Sequence, residues 1–246
     1  MEATAPDRRF AEDYRIAREI PRDGLTAWRA AVAAEVPLAP GAVVLDVGAG
    51  TGAFAAAFAD WFGARVLAVE PAAAMRELIP RTADIEVLDG RAEALPVPDG
   101  CADAAWLGSV VHHIGDLPAA AREIRRALKP GAPVLIRNSF PGRCTRDLRV
   151  RFFPGTARII DSYPTVEQTC AAFAAAGFAR VALHAVPQES APSLSGFADR
   201  IRRDTDAKLR SLTDEEFASG MRRLRRAAEQ EPDRPAVSWM DLLVLA

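Results

Sequence analysis

Lysine is almost missing from this chain. Of its 31 basic residues only Lys129 and Lys208 are lysines, so nearly all of the positive charge is carried by arginine. With the abundant alanine, this bias suggests a GC-rich bacterial genome rather than a mechanism. Cysteine is sparse too. Cys101, Cys144 and Cys170 are odd in number and far apart. They fit neither a zinc spacing nor a disulfide framework, and read as reduced thiols of a cytoplasmic protein. No apolar run is long enough to span a bilayer, so no membrane association is expected. The opening MEATAPDRRFAEDYR has no apolar signal core, which argues against export. A dominant charge sign is also absent: 31 basic and 33 acidic residues leave a net charge of −2. Nothing global calls for a polyanion, no RNA-recognition module is present and no repeat is found. Nucleic acid is therefore not an expected partner.

What is present is a globular composition, half hydrophobic and a quarter charged over 246 residues. That length suits one α/β domain with a modest insertion. Residues 8–34 read as two short helices. Strands are expected at 43–47, 64–70, 84–90, 102–109 and 132–138, separated by helices, the last over 116–128. Five such alternations predict an open, doubly wound, mostly parallel sheet. Residues 139–163 are irregular and rich in Arg, Phe and Pro. A helix over 165–176, a strand in ARVALHAV, a charged helical stretch over 193–231 and the final strand VSWMDLLVLA follow. The two late strands suit an antiparallel edge, making a Rossmann-like, seven-stranded sheet with an antiparallel last strand. The expected organisation is a single domain: an N-terminal helical cap (1–35), a ligand-binding core (41–138), a substrate-side cap (139–235) and a last strand (236–246).

The first strand runs into the turn of VVLDVGAGTG. Gly48, Gly50 and Ala53 satisfy G-x-G-x-x-G/A, and Glu70, ending the second strand, is placed to bond ribose hydroxyls. No Lys-Ser/Thr follows the glycines, so this is not a phosphate-binding P-loop. The turn alone leaves two ligands open, a dinucleotide or another nucleoside. Four further motifs bear on the choice: VEPAAAM, DGRAEALPVPDG, DAAWLGSVVHHIGDL and REIRRALKPGAPVLI. Together the five resemble those of the class I S-adenosylmethionine-dependent methyltransferases. The match covers roughly residues 10–140, in the small-molecule branch that includes ubiquinone, sterol and natural-product enzymes. The resemblance implies S-adenosylmethionine as methyl donor and S-adenosylhomocysteine as product. It implies Asp46, Gly48, Gly50, Gly52, Glu70, Met75 and Ser109 as donor-binding residues, with Met75 against the adenine face. Arg18, one helical turn from Tyr14, is the candidate for the methionine carboxylate. Relatives often carry an acid where Arg91 stands; a guanidinium is donor-only, so backbone groups near Ala92, or Glu93, are expected to replace it.

On the acceptor side, His112 and His113 are the candidate bases, because imidazole is suited to proton transfer near neutral pH. Neighbouring residues point apart, so one of the two is expected to reach the site, with His112 favoured; Tyr14 joins them as a candidate catalytic residue. Asn138, Phe140 and Phe10 are the candidate substrate contacts. Phe152, Phe153 and Tyr163 are further aromatics of the cap or pocket rim. No carboxylates follow the fourth strand, and no metal is expected. Six arginines between 137 and 158, opposed in sequence by Asp147 alone, suggest an anionic substrate or a carrier-protein arm, while RRLRR at 222–226 reads as a solvated helix face. The expected activity is methyl transfer to an oxygen, nitrogen or electron-rich carbon of a small, aromatic or polycyclic metabolite of specialised metabolism, by a monomer or homodimer. The alternatives are a dinucleotide-dependent oxidoreductase and a non-catalytic S-adenosylmethionine-binding protein.

Overall fold

The computed structural model describes residues 7–18 and 20–246. In chain order its helices are α1 (Arg8–Arg18), α2 (Thr26–Glu35), α3 (Ala53–Phe62), α4 (Ala73–Arg76), α5 (Leu117–Ala127), α6 (Leu148–Phe152), α7 (Ala157–Ile160), α8 (Val166–Ala174), α9 (Leu194–Asp199), α10 (Ala207–Arg210) and α11 (Asp214–Gln230). The strands are β1 (Val43–Val47), β2 (Arg65–Val69), β3 (Ile85–Leu88), β4 (Ala104–Gly108), β5 (Val134–Asn138), β6 (Arg180–Ala191) and β7 (Ala236–Leu245). They form one seven-stranded sheet in the order β3-β2-β1-β4-β5-β7-β6. All pairings from β3 to β5 are parallel, and β7 runs antiparallel to both β5 and β6. The Rossmann-like, doubly wound architecture expected from sequence is the observed one.

Strands buried on both faces must be apolar throughout, and β1, β4 and β5 are so up to their carboxyl ends. Leu45, Val47, Leu107 and Ile136 face a layer containing Ala120, Ala121 and Ile124 of α5 and Phe173 of α8. Val44, Val66, Trp106 and Leu135 face Trp28 and Val32 of α2 and Phe58 of α3. Helix α5 starts where the Asp116 carboxylate accepts the Ala119 amide at 2.9 Å, an N-cap that satisfies a donor the helix cannot. Capping boxes open α8 at Thr165 and α11 at Thr213.

The insertion has its own core, formed by Phe152, Phe153, Leu194, Phe197, Leu209 and Leu224. Beneath it Lys208 Nζ meets Asp147 Oδ2 at 3.2 Å, and Arg149 pairs with Asp206. Burial alone would raise the Asp147 carboxyl, yet the Lys208 and Arg149 cations hold it below its ordinary value. Within the 139–235 stretch α8 packs against α5, and β6, the expected late strand, forms the sheet edge. Gly220 lets α11 close on α6, because a Cβ there would lie 2.0 Å from Phe153 Cδ1. Gly220→Ala is therefore expected to lower stability by about 1–3 kcal/mol through overpacking, despite the better helix propensity of alanine. Urea unfolding checks this.

No described helix is long and apolar enough to cross a membrane.

Candidate functional site

The site lies at the carboxyl ends of β1, β2 and β4, where the strand order reverses direction from β1, the usual ligand position in open α/β sheets. After Val47 the chain turns sharply. The Gly48 and Ala49 amides both donate to the Val69 carbonyl, at 2.8 and 3.0 Å, which ties the turn to the end of β2. Gly48, Gly50 and Gly52 take φ of 70°, 58° and 80°, a region costly for any residue with a Cβ. At Gly48 the space is also taken, since a Cβ would sit 2.4 Å from Val110 Cγ2. The loop after β4 thus packs directly on the glycine turn. At Gly50 a Cβ would meet nothing within 4 Å, so the turn is open on that side.

Glu70 organises this opening. Its Oε2 accepts the Gly50 amide and its Oε1 the Ala72 amide, each at 2.9 Å. A carboxylate has about four acceptor positions, so two remain for ligand hydroxyls. Arg76 clamps the same loop: Nη1 donates to the Glu70 and Pro71 carbonyls at 2.8 and 2.7 Å, and Nη2 meets Asp89 Oδ2 at 2.9 Å. Met75, beside Arg76, is nearly buried.

Asp46 lies under the turn, buried, with Oδ2 unpartnered. Burial pushes its carboxyl from near 3.8 up to about 7; the neighbouring Glu70 charge adds to this, and a backbone hydrogen bond at Ala55 opposes it. An acid raised in the folded state binds more protons folded than unfolded, so its stability contribution is complete at low pH and lost as pH rises through the folded value. Asp46→Asn is therefore expected to gain stability over the natural chain progressively from about pH 4 to about pH 7, and no further above, summing to about 2–4 kcal/mol. Urea unfolding of both proteins across pH measures the difference.

The remaining residues divide. Ser109, at the end of β4, has φ 59°; its Oγ accepts Arg137 Nη1 at 2.8 Å, and Gln188 Oε1 receives Nη2. The Arg137 guanidinium lies 5.1 Å from both the Trp28 and Phe54 rings. His112 is half-buried with Nδ1 withdrawn from solvent, and its ring stacks on Tyr163 at 3.9 Å and 12°. His113 is exposed, its ring 4.1 Å from His112 and tilted by 46°. Phe10 and Tyr14 stack at 6.3 Å on α1, which packs on α4 and so borders the Glu70 loop. The guanidinium of Arg210 lies 5.7 Å from Phe10 and links α1 to the insertion. The Arg18 side chain lies outside the described residues.

Several expectations need correction. Phe140 is fully buried in the core on the α5 side, so its ring packs the sheet instead of facing an acceptor. Asn138 is also buried, and its amide is used locally on the Ser139 carbonyl at 3.1 Å. Arg91 points outward, 70% exposed, whereas the Ala92 side chain lies in the core, which bears on its methyl and not on the backbone groups expected to serve the ligand. Glu93 accepts the Gly115 amide at 3.2 Å and so holds the histidine loop. Three of the six arginines of 137–158 are taken up by acids within the chain. Arg143 grips Asp241 through two bonds of 2.9 Å, Arg149 pairs with Asp206, Arg158 with Glu216, and Arg146 stacks on Trp239. Their acids come from distant segments that sequence spacing does not reveal. Arg76, which clamps the Glu70 loop, was not singled out by the motifs, and Tyr163, one of several rim aromatics, is the one stacked on His112.

The donor half of this site fits a nucleoside carrying an amino acid. It offers an open glycine turn, a carboxylate with two positions left for hydroxyls, and a buried acid with a free oxygen. Residues 45–136 match the family model described as a methyltransferase domain. The chain is 34% identical over 141 residues to the ubiquinone/menaquinone biosynthesis C-methyltransferase UbiE of Caulobacter vibrioides, covering 52% of this chain and 56% of that one. It is 37% identical over 97 residues to the malonyl-[acyl-carrier protein] O-methyltransferase of Serratia marcescens, covering 39% and 38%. The chain thus spans about half, or less, of the length of these curated relatives. A crystal structure of a putative methyltransferase from an antibiotic biosynthesis pathway of Anabaena variabilis shares the fold. Its TM-score is 0.66 at 18% identity, over 89% of this chain and 96% of that one. Motifs, domain match and fold point the same way: residues 45–136 match a methyltransferase domain, and the chain resembles the class I S-adenosylmethionine-dependent methyltransferases.

Proposed function

We propose that this chain transfers the methyl group of S-adenosylmethionine to an oxygen, nitrogen or electron-rich carbon of a small, aromatic or polycyclic metabolite of specialised metabolism. The observation that carries the reading is the contact of Val110 with Gly48. It sets the loop bearing His112 directly against the donor-binding turn, two residues from the point of contact.

When bound, S-adenosylmethionine supplies a methyl already activated by its sulfonium. The chain's own residues align, enclose and move protons. Glu70, held by two amides and by the Arg76 clamp, receives the ribose hydroxyls through charge-assisted bonds. Gly48 and Gly50 admit the methionine portion by close backbone approach. The unpartnered Asp46 oxygen under the turn is the candidate acceptor for the ammonium. Helix α1, bearing Phe10 and Tyr14, borders the Glu70 loop and excludes water there, which strengthens every polar contact inside. Tyr14 remains a candidate to orient the acceptor from this rim. His112 takes the proton of a hydroxyl or amine acceptor, or removes it from carbon after transfer. His113, exposed, is not needed for that step.

The test is turnover with methyl-labelled donor on a panel of catechol, an alkylated hydroquinone, a naphthoquinol and a hydroxybenzoate. Label in at least one product, absent without enzyme, is expected. Donor binding with no transfer to any panel member or to a wider extract of small aromatics would replace this reading with that of a non-catalytic binding protein.

A further inference from the structure

The stack between His112 and Tyr163 joins two parts of the molecule that are 51 positions apart in sequence. His112 belongs to the loop after β4, and Tyr163 to the turn between α7 and α8. Both backbones are pinned independently of the ring contact. On one side the His113 amide donates to the Val110 carbonyl at 2.7 Å, Val111 is fully buried, and Val110 fills the space beside Gly48. On the other side the Tyr163 amide donates to the Ile160 carbonyl at 2.9 Å. The Thr165–Gln168 capping box then fixes the chain two residues on. The two rings therefore meet as parts of pre-set elements, and little further ordering is needed to hold them face to face.

Such a wall matters for a histidine. The second side-chain torsion of an imidazole has broad, roughly two-fold preferences, so a ring without a flat neighbour swings between orientations. A tyrosine face at 3.9 Å and 12° leaves one plane. His113 is tilted by 46° from the same ring and is exposed, so it does not supply this constraint.

We propose that Tyr163 is a positioning residue for His112: its stacked ring fixes the plane in which the imidazole meets the acceptor and couples the cap to the donor turn through Val110. The proposal rests on the reading that His112 serves the acceptor. It requires the ring of Tyr163, not its hydroxyl.

The test compares Tyr163→Leu, Tyr163→Phe and His112→Asn in the full chain. The sequence has only three histidines, so their ring-proton NMR signals are assigned by replacing each in turn. Tyr163→Leu is expected to remove the tyrosine's share of the ring-current shift on His112, leaving that of the tilted His113 ring, and to lower kcat about tenfold on the fastest acceptor of the panel. KM for the donor and affinity for S-adenosylhomocysteine should change less than twofold, which also reports an intact fold. Tyr163→Phe is expected to restore both the shift and the rate. Loss of the tyrosine's share of the shift with unchanged kcat, while His112→Asn is slow, would overturn the positioning role and leave the His112 reading intact. Full rates in both His112→Asn and Tyr163→Leu would overturn the His112 reading itself.

Discussion

Replacing Glu70 with alanine is expected to weaken S-adenosylhomocysteine binding about a hundredfold. The carboxylate holds the Gly50 and Ala72 amides at 2.9 Å each, and it is the only described acid bonded to the glycine turn. Its loss removes two charge-assisted bonds that shape the opening, together with the acceptor for the ribose hydroxyls. Hydrogen bonds to a charged group contribute about 1.5–3 kcal/mol each. Part of this is recovered as water solvates the freed amides, so a net loss of about 3 kcal/mol is expected, or roughly two factors of ten. Glu70→Gln should fall between, since an amide accepts at one atom only. Arg76 would still hold the Glu70 and Pro71 carbonyls, so the loop should stay in place, and calorimetry would report the side chain rather than a collapsed turn. Because the Glu70 charge helps to raise Asp46, the same variant should also bring the Asp46 carboxyl down.

Replacing His112 with asparagine is expected to lower kcat by about 10²–10³ on a hydroxyl acceptor, the lower part of the range typical of a positioned general base. Donor affinity should change less than twofold. The same change at His113 is expected to cost less than threefold. The asymmetry comes from placement: His112 is half-buried against Tyr163 beside the loop that packs on Gly48, whereas His113 is exposed. Steady-state kinetics of the two single variants decide between them. Equal losses at both positions would contradict this assignment.

The parallel half of the fold was legible because buried strands and amphipathic helices carry opposite periodicities, and the glycine turn has a fixed spacing to Glu70. The antiparallel edge was legible more loosely. Strand β6 extends to Ala191, past the apolar run that suggested it, because its pairing with β7 rather than its own pattern sets its length. The acceptor side was the hardest to read. Phe140 and Asn138 follow the right strand, but alternation along β5 does not tell which end residues turn inward to the core. The arginines of 137–158 looked opposed by Asp147 alone because Asp206, Glu216 and Asp241 approach only in three dimensions. Arg76 lies on a four-residue helix with no motif of its own, and its value comes from two carbonyls it happens to span. Tyr163 was one aromatic among several until the fold placed it on His112.

The most direct measurement of the central claim, that the glycine turn holds a methyl donor, is a calorimetric titration of the protein with S-adenosylhomocysteine beside an identical titration with NAD. The account predicts micromolar, one-to-one binding of S-adenosylhomocysteine and no heat with NAD. Binding of NAD in place of S-adenosylhomocysteine would contradict it and turn the search toward redox substrates.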